Sequence, residues 1–120
     1  MHQYKQLNVW QNAVDFAENI YTCTRDFPQE EKFGLIAQIR RAAISIASNI
    51  AEGSCRNTAK EFAHFIGVSS GSVAEVETQL IIANRLGFIS NETLDSLLEK
   101  GTEIMKKLWK LRASLTKNNT

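Results

Sequence analysis

Apolar residues recur at alternating intervals of three and four along two long segments of this 120-residue chain. Such spacing places the apolar side chains on one face of an α-helix, and that face must be buried against a neighbouring element. The two runs, which include the small residues Ser69 and Gly101 at the same spacing, are Phe62, Ile66, Ser69, Val73, Val76, Leu80 and Ala83, followed by Leu94, Leu97, Gly101, Ile104, Leu108, Leu111 and Leu115. The pattern therefore predicts two amphipathic helices that cannot be stable alone.

Capping signals divide the chain into four predicted helices. A T-x-x-E capping box begins at Thr58, and Asn8 with a glutamine three residues on predicts the start of the first helix in the same way. Gly53 and Gly87 are expected to end the second and third helices in the left-handed conformation that glycine adopts most easily. The predicted helices span about residues 9–26, 35–52, 58–86 and 91–116.

Four such helices joined by short connections indicate an all-α, antiparallel up-down four-helix bundle. We expect one domain over residues 1–120, a length sufficient to bury a core without disulfides or metal. Cys23 and Cys55 lack metal-ligand spacing, and no signal sequence precedes them, which favours reduced thiols and a cytoplasmic location. The apolar runs are too short to span a membrane.

An enzyme is not indicated. His2 and His64 stand apart from any ligand pattern, and Glu75 and Glu77 point about 200° apart on a helix, so they cannot share a proton or a metal. The chain also lacks a nucleophile elbow, a phosphate loop and the E-x-x-H signature of di-iron bundles. We expect no catalytic residue, metal or cofactor.

The second helix combines an unusually wide apolar surface with a polar stripe. On a helical wheel its apolar residues cover roughly 220°, about twice what a surface helix of a monomer needs. This surplus favours self-association, with the alternative that small alanines lie at the solvent boundary. The polar stripe consists of Gln38, Arg41, Ser45, Ser48, Asn49 and Glu52.

Arg40 falls inside the apolar arc, where an unpaired charge is costly. Its guanidinium must reach solvent or a carboxylate, with Glu77, or Glu75 across a subunit boundary, as candidate partners. The line formed by Arg41, Ser45, Ser48 and Glu52 is either a hydrogen-bonded structural seam or a surface that reads a partner.

Basic charge is concentrated at the end of the chain. Residues 100–120 contain six Lys or Arg against one Asp or Glu, within a net charge of +1 for the whole chain. Such a run is either a solvated helix face or a contact for a polyanion. The candidate phosphate-binding residues are Lys106, Lys107, Lys110 and Arg112, with Arg41, Arg56 and Lys60 as secondary candidates. No base-stacking motif accompanies them.

Several short motifs together resemble one protein family. They are LNVWQNA at 7–13, the pair Phe27–Pro28, QIRRAAISIASNIAEG at 38–53, Arg56, Glu61, Phe65, and GSVAEVETQL at 71–80. The chain is similar, over roughly residues 5–112, to the proteins named for intervening sequences in bacterial 23S ribosomal RNA genes, the so-called S23 ribosomal proteins. One departure is Ala47, where many relatives carry a proline that would kink the helix.

The resemblance implies a left-handed bundle that assembles into a ring-shaped homopentamer. A related accessory variability protein of retroelements forms a basic pentamer that engages a reverse transcriptase and nucleic acid. Two functional hypotheses follow: an oligomer that binds the RNA or DNA backbone, and a scaffold that binds another protein without nucleic acid.

Overall fold

The computed structural model describes residues 3–117, and His2 lies outside that range. Within it, the only regular elements are helical, and four long helices account for most of the chain. They are α1 (Asn8–Thr24), α2 (Leu35–Ser54), α3 (Ala59–Arg85) and α4 (Asn91–Thr116), with single 3-10 turns at Tyr4–Gln6 and Gln29–Glu31. The predicted all-helical fold with four helices is confirmed.

Helices α2 and α3 form the most extensive interface of the bundle. The hydroxyl of Ser69 donates to the carbonyl of Ile46 (2.8 Å), and Ser45 donates to the hydroxyl of Ser72. Residue numbers therefore rise along α3 as they fall along α2, so the two helices run in opposite directions. Small side chains at these contacts allow the backbones to approach closely.

Helix α4 packs between α3 and α1 and runs opposite to both. Along α3, Gly67 faces Arg112 and Glu77 faces Gly101. Along α1, a crevice brings residues 12–19 beside residues 100–104, and a second one brings residues 19–26 beside residues 92–100. The result is an elongated bundle of 47 × 23 × 22 Å in which each helix contacts two neighbours.

The two predicted runs of residues at intervals of three and four, which we call the apolar seams of α3 and α4, line the core. All seven seam residues of α3 are buried, and in α4 only Leu94 and Leu111 remain partly exposed while packing against the core. Helix α1 buries Val9, Ala13, Phe16 and Ile20, while Trp10 and Ala17 are partly exposed and pack against the core. Helix α2 is unbroken through Ala47.

Three of the predicted helix boundaries have the expected chemistry. Thr58 Oγ1 accepts a hydrogen bond from the Glu61 backbone N–H (3.1 Å), and Ser90 caps α4 through the backbone N–H of Thr93 in the same way. Gly87 has a φ of +82°, and the following N–H of Phe88 donates to the Ala83 carbonyl (2.9 Å). This arrangement satisfies the last carbonyls of α3 and ends the helix.

The predicted capping of the first helix by Asn8 was wrong, and the helix ends two residues before its predicted end. Asn8 lies inside α1 and does not cap it, because its side chain is engaged by Lys107. Gln11 instead donates to the carbonyl of Lys5 (2.9 Å). The helix ends at Thr24, so Phe27 is buried beyond it, in a small second cluster with Ile36 and Ala83.

Gly53 does not end the second helix, which continues to Ser54. A Cβ at Gly53 would lie 2.7 Å from the Cβ of Phe65 and 2.9 Å from Cδ1 of Phe62. The glycine is therefore required by close packing of α2 on α3, and the left-handed conformation predicted for it is absent.

Among residues 3–117, no helix has both the length and the apolar character to cross a membrane. Within the same range, no group of three or more His, Cys, Asp or Glu side chains is placed to hold a metal ion.

Candidate nucleic-acid interface

The basic residues of α4 do not share one face. Lys106 and Lys110 are exposed and one helical turn apart, so they lie on the same outer surface. Arg112 is exposed on the side of α4 that faces α3, with its guanidinium carbon 3.4 Å from where a Cβ at Gly67 would stand. Lys107 turns towards α1.

Lys107 is held by two asparagines of α1. Its ammonium donates to Asn8 Oδ1 and to Asn12 Oδ1, both at 2.6 Å, and the side chain is half-buried. These bonds join the start of α1 to the second half of α4. Lys107 thus contributes its charge to the local field, while two of its three donors already have acceptors.

Arg56 and Lys60 lie at the turn between α2 and α3, and both are exposed. Arg56 Nη2 is 2.7 Å from Glu52 Oε1, and its guanidinium lies 4.8 Å from the centroid of the Phe65 ring. The two charged side chains are 41% and 55% exposed, so their ion pair contributes little to stability. Arg56 can exchange this partner for a phosphate at small cost.

The helix directions gather most of these residues at one end of the bundle. Dividing each helix at its midpoint gives one half with residues 3–16, 45–72 and 104–117, which we name the basic end. It carries eight Lys or Arg against three Asp or Glu, whereas residues 17–44 and 73–103 carry six against ten. Arg41 belongs to that second half, away from the other candidates.

This segregation of +5 from −4 extends along a molecule 47 Å long. Because salt screens exposed charges over about 8–10 Å, a polyanion at the basic end is largely insulated from the acidic half. The net charge of +1 therefore conceals a large difference in charge between the two halves of the molecule.

The sequence interpretation missed one residue of the basic end. The indole of Trp109 is 60% exposed and lies among Lys106, Lys110 and Arg112. A signal was present, since Trp109 follows the seam residue Leu108 and must point about 100° away from the core.

Part of the predicted surplus apolar arc of α2 is exposed. Ile44 is 45% exposed, and the nearby Phe33 is 89% exposed. Both line an open groove, which we name the α2 groove, with Tyr21, Lys32, Ile36, Ala37, Arg40 and Arg41. The exposed part of the apolar arc of α2 is narrower than predicted, because α1 and α3 pack against the two sides of the arc.

Arg40 is satisfied without a carboxylate. Its Nε donates to Thr24 Oγ1 (2.8 Å), Nη2 donates to the Tyr21 carbonyl (3.4 Å), and the guanidinium lies 4.4 Å from the centroid of the Tyr21 ring. The candidate partner Glu77 faces Gly101 on α4 instead. The sequence-based pairing with Glu77 is therefore wrong within the chain.

Glu77 and Glu75 occupy different environments. Burial raises the pKa of the Glu77 carboxyl above its ordinary value. A Cβ on Gly101 would stand 2.9 Å from Glu77 Oε2, so this glycine makes room for the carboxylate. Glu75 is exposed and accepts a hydrogen bond from Gln79 Nε2 (3.3 Å).

The predicted polar line on α2 splits into two parts. Ser45 and Asn49 are half-buried, with Ser45 bonded to Ser72 of α3 and Asn49 Nδ2 donating to the Ser45 carbonyl (2.8 Å). Arg41, Ser48 and Glu52 are exposed. Of the line Arg41, Ser45, Ser48 and Glu52, the seam interpretation thus describes Ser45. Arg41 and Ser48 remain available to a partner, and Glu52 pairs with Arg56.

Comparison with known proteins gives the family and supports the fold. Residues 5–110 match the model of the 23S rRNA-intervening sequence proteins. A crystal structure of a protein of unknown function from the S23 ribosomal protein family of Bacteroides thetaiotaomicron VPI-5482 is 27% identical, with a TM-score of 0.80. The alignment covers 87% of this chain and 97% of that one. No curated protein matches the chain.

Proposed function

The chain belongs to the 23S rRNA-intervening sequence protein family, and from that premise we propose that it is a non-enzymatic homo-oligomer that binds the nucleic-acid backbone. The site is the basic end, and the ligand is RNA or DNA held through its phosphates. The proposed setting is the cytoplasm, where free thiols such as those of Cys23 and Cys55 persist.

The segregation of charge carries this proposal. Lys106, Lys110 and Arg112 are exposed residues at an end with a net charge of +5. Cations that neutralise phosphates release the counterions condensed on nucleic acid, and this release dominates affinity that does not depend on sequence. A ligand that is negatively charged along its whole length therefore binds more strongly at such an end than elsewhere on the molecule.

Self-assembly would multiply this charge. We propose a left-handed bundle that closes into a ring, with five subunits, and that uses the α2 groove as part of its subunit interface. Phe33 and Ile44 support this interface, because large apolar side chains left this exposed favour association. Five basic ends would present about +25 to one polyanion, so weak single contacts would add through avidity.

Binding of the protein to labelled single-stranded RNA, single-stranded DNA and duplex DNA over a series of salt concentrations tests the function. We expect binding at about 50 mM salt and a logarithmic decline of affinity as salt rises, similar for unrelated sequences. Absence of binding to every probe at low salt would overturn the proposal.

A second candidate function is a scaffold for another protein, without nucleic acid. Ile82 and Leu86 favour it, since Ile82 lies in the last turn of α3, Leu86 directly follows the helix, and they are 45% and 57% exposed. An assembly that keeps its oligomeric mass yet binds no RNA or DNA would favour this alternative.

A further inference from the structure

Trp109 is an aromatic side chain displayed on the surface of a regular helix. It lies near the middle of the second half of α4, and its indole is 60% exposed. Leu108, immediately before it, is fully buried and fixes the rotation of the helix on the core. The exposure of the indole is therefore set by the fold.

Cationic side chains flank this indole on two sides along the helix. Lys106 and Arg112 are three residues before and after Trp109, the spacing at which side chains on a helix are neighbours. Lys110 follows directly, and all three cations are exposed. A flat aromatic surface therefore lies within a field that attracts phosphates.

We infer that Trp109 is a stacking platform for an unpaired base and that single-stranded nucleic acid is the preferred ligand of the basic end. This inference rests on the binding function proposed above and adds the strandedness of the ligand. Lys106 and Arg112 hold the phosphates on either side, Lys110 adds positive charge nearby, and the indole receives the base between them. An aromatic side chain can stack on any unpaired base. In a duplex the faces of the bases are covered by the neighbouring base pairs.

Two other aromatics, Trp10 and Phe33, do not offer the same combination. Trp10 is half-buried, and its ring packs edge-on against Tyr4 with 5.3 Å between centroids. Phe33 is 89% exposed but belongs to the half of the bundle with excess acidic residues. Ile81 is 38% exposed in the same acidic half and lies outside the α2 groove, so it provides a control for removal of an exposed apolar side chain.

The test compares the wild type with W109L, W109F and I81A on four labelled probes of the same sequence. The probes are single-stranded RNA, single-stranded DNA, duplex DNA, and a single strand with abasic sites. For W109L we expect a loss of roughly 5- to 150-fold on the two intact single strands, the contribution of one stacked base. We expect a smaller loss for W109F, and changes within about twofold for I81A on every probe and for W109L on the duplex and abasic probes.

The outcomes separate this inference from the proposed function. If the wild type binds all probes and W109L binds each as tightly as the wild type does, the stacking platform is wrong while backbone binding stands. If the wild type binds nothing at low salt, the proposed function itself fails. If W109L changes the oligomeric mass in light scattering, Trp109 belongs to a subunit interface and the inference is overturned.

Discussion

At the scale of single residues, Gly53 and Gly71 both lie inside helices but have opposite surroundings. A Cβ at Gly53 would collide with Phe62 and Phe65, whereas a Cβ at Gly71 would meet no atom within 4 Å. Close packing requires glycine at position 53. At position 71 no neighbouring atom requires glycine, and its backbone flexibility only weakens α3.

This contrast predicts opposite effects of the same substitution. G53A should lower the free energy of unfolding by about 1–3 kcal/mol through overpacking. G71A should raise it by about 0.5–1 kcal/mol, because alanine restricts the unfolded chain and suits a helix. Chemical denaturation measures both, and equal effects of the two variants would show that Gly53 is not held by the close contact.

Glu77 supplies a prediction about pH. Because burial raises its pKa in the folded chain, the ionised carboxylate destabilises the fold near neutral pH, and protonation removes that penalty as pH falls through the raised value. E77Q should therefore be more stable than the wild type at pH 7, with an advantage that shrinks towards about pH 4. Denaturation midpoints of the wild type and E77Q across this pH range test the prediction, with E75Q, at an exposed position, as the control. A difference in stability between E77Q and the wild type that does not depend on pH would contradict it.

At the scale of helices, periodicity predicted α3 and α4 well because local sequence decides which of their faces is apolar. Every seam residue predicted for α3 is buried. Helix α1 was predicted less well, since the role of Asn8 depends on Lys107, 99 residues later in the chain. Gly53 was misread for a related reason: the sequence shows that a glycine is present but not whether a turn or a neighbouring helix requires it.

Helix α2 allows the assignment of core and polar stripe to be tested. Ile46 is fully buried, so I46A should cost on the order of 2–5 kcal/mol. Ser45 is half-buried with one hydrogen bond across to Ser72, and S45A should cost about 1 kcal/mol. Chemical denaturation compares the two variants, and equal shifts of the midpoint would contradict the assignment.

At the scale of the whole molecule, the separation of charge could not be read from the linear sequence alone. The basic run of α4 was visible, but Arg56 and Lys60 join it only because α2 and α3 turn at the same end. The exposed indole of Trp109 was also overlooked, because the periodic pattern identifies only the residues on the buried face of α4.

Assembly is the first prediction at this scale. Light scattering should return a particle of about five times the 13.5 kDa chain mass. I44E places a charge in the α2 groove and should reduce that mass without loss of helicity, whereas V14E, at an exposed position of α1, should not. A wild-type particle of 13.5 kDa at tens of micromolar would contradict self-assembly.

The most direct test of the central claim compares two variants that each lose three positive charges. One replaces Lys106, Lys110 and Arg112 of the basic end with glutamine, and leaves Lys107 to its bonds with α1. The other replaces Arg25, Arg85 and Lys100, which are exposed in the opposite half. We expect the first variant to bind every RNA and DNA probe more weakly and with a shallower dependence on salt, and the second to behave like the wild type. Equal losses in both variants would show that only net charge matters and would contradict a binding site at the basic end.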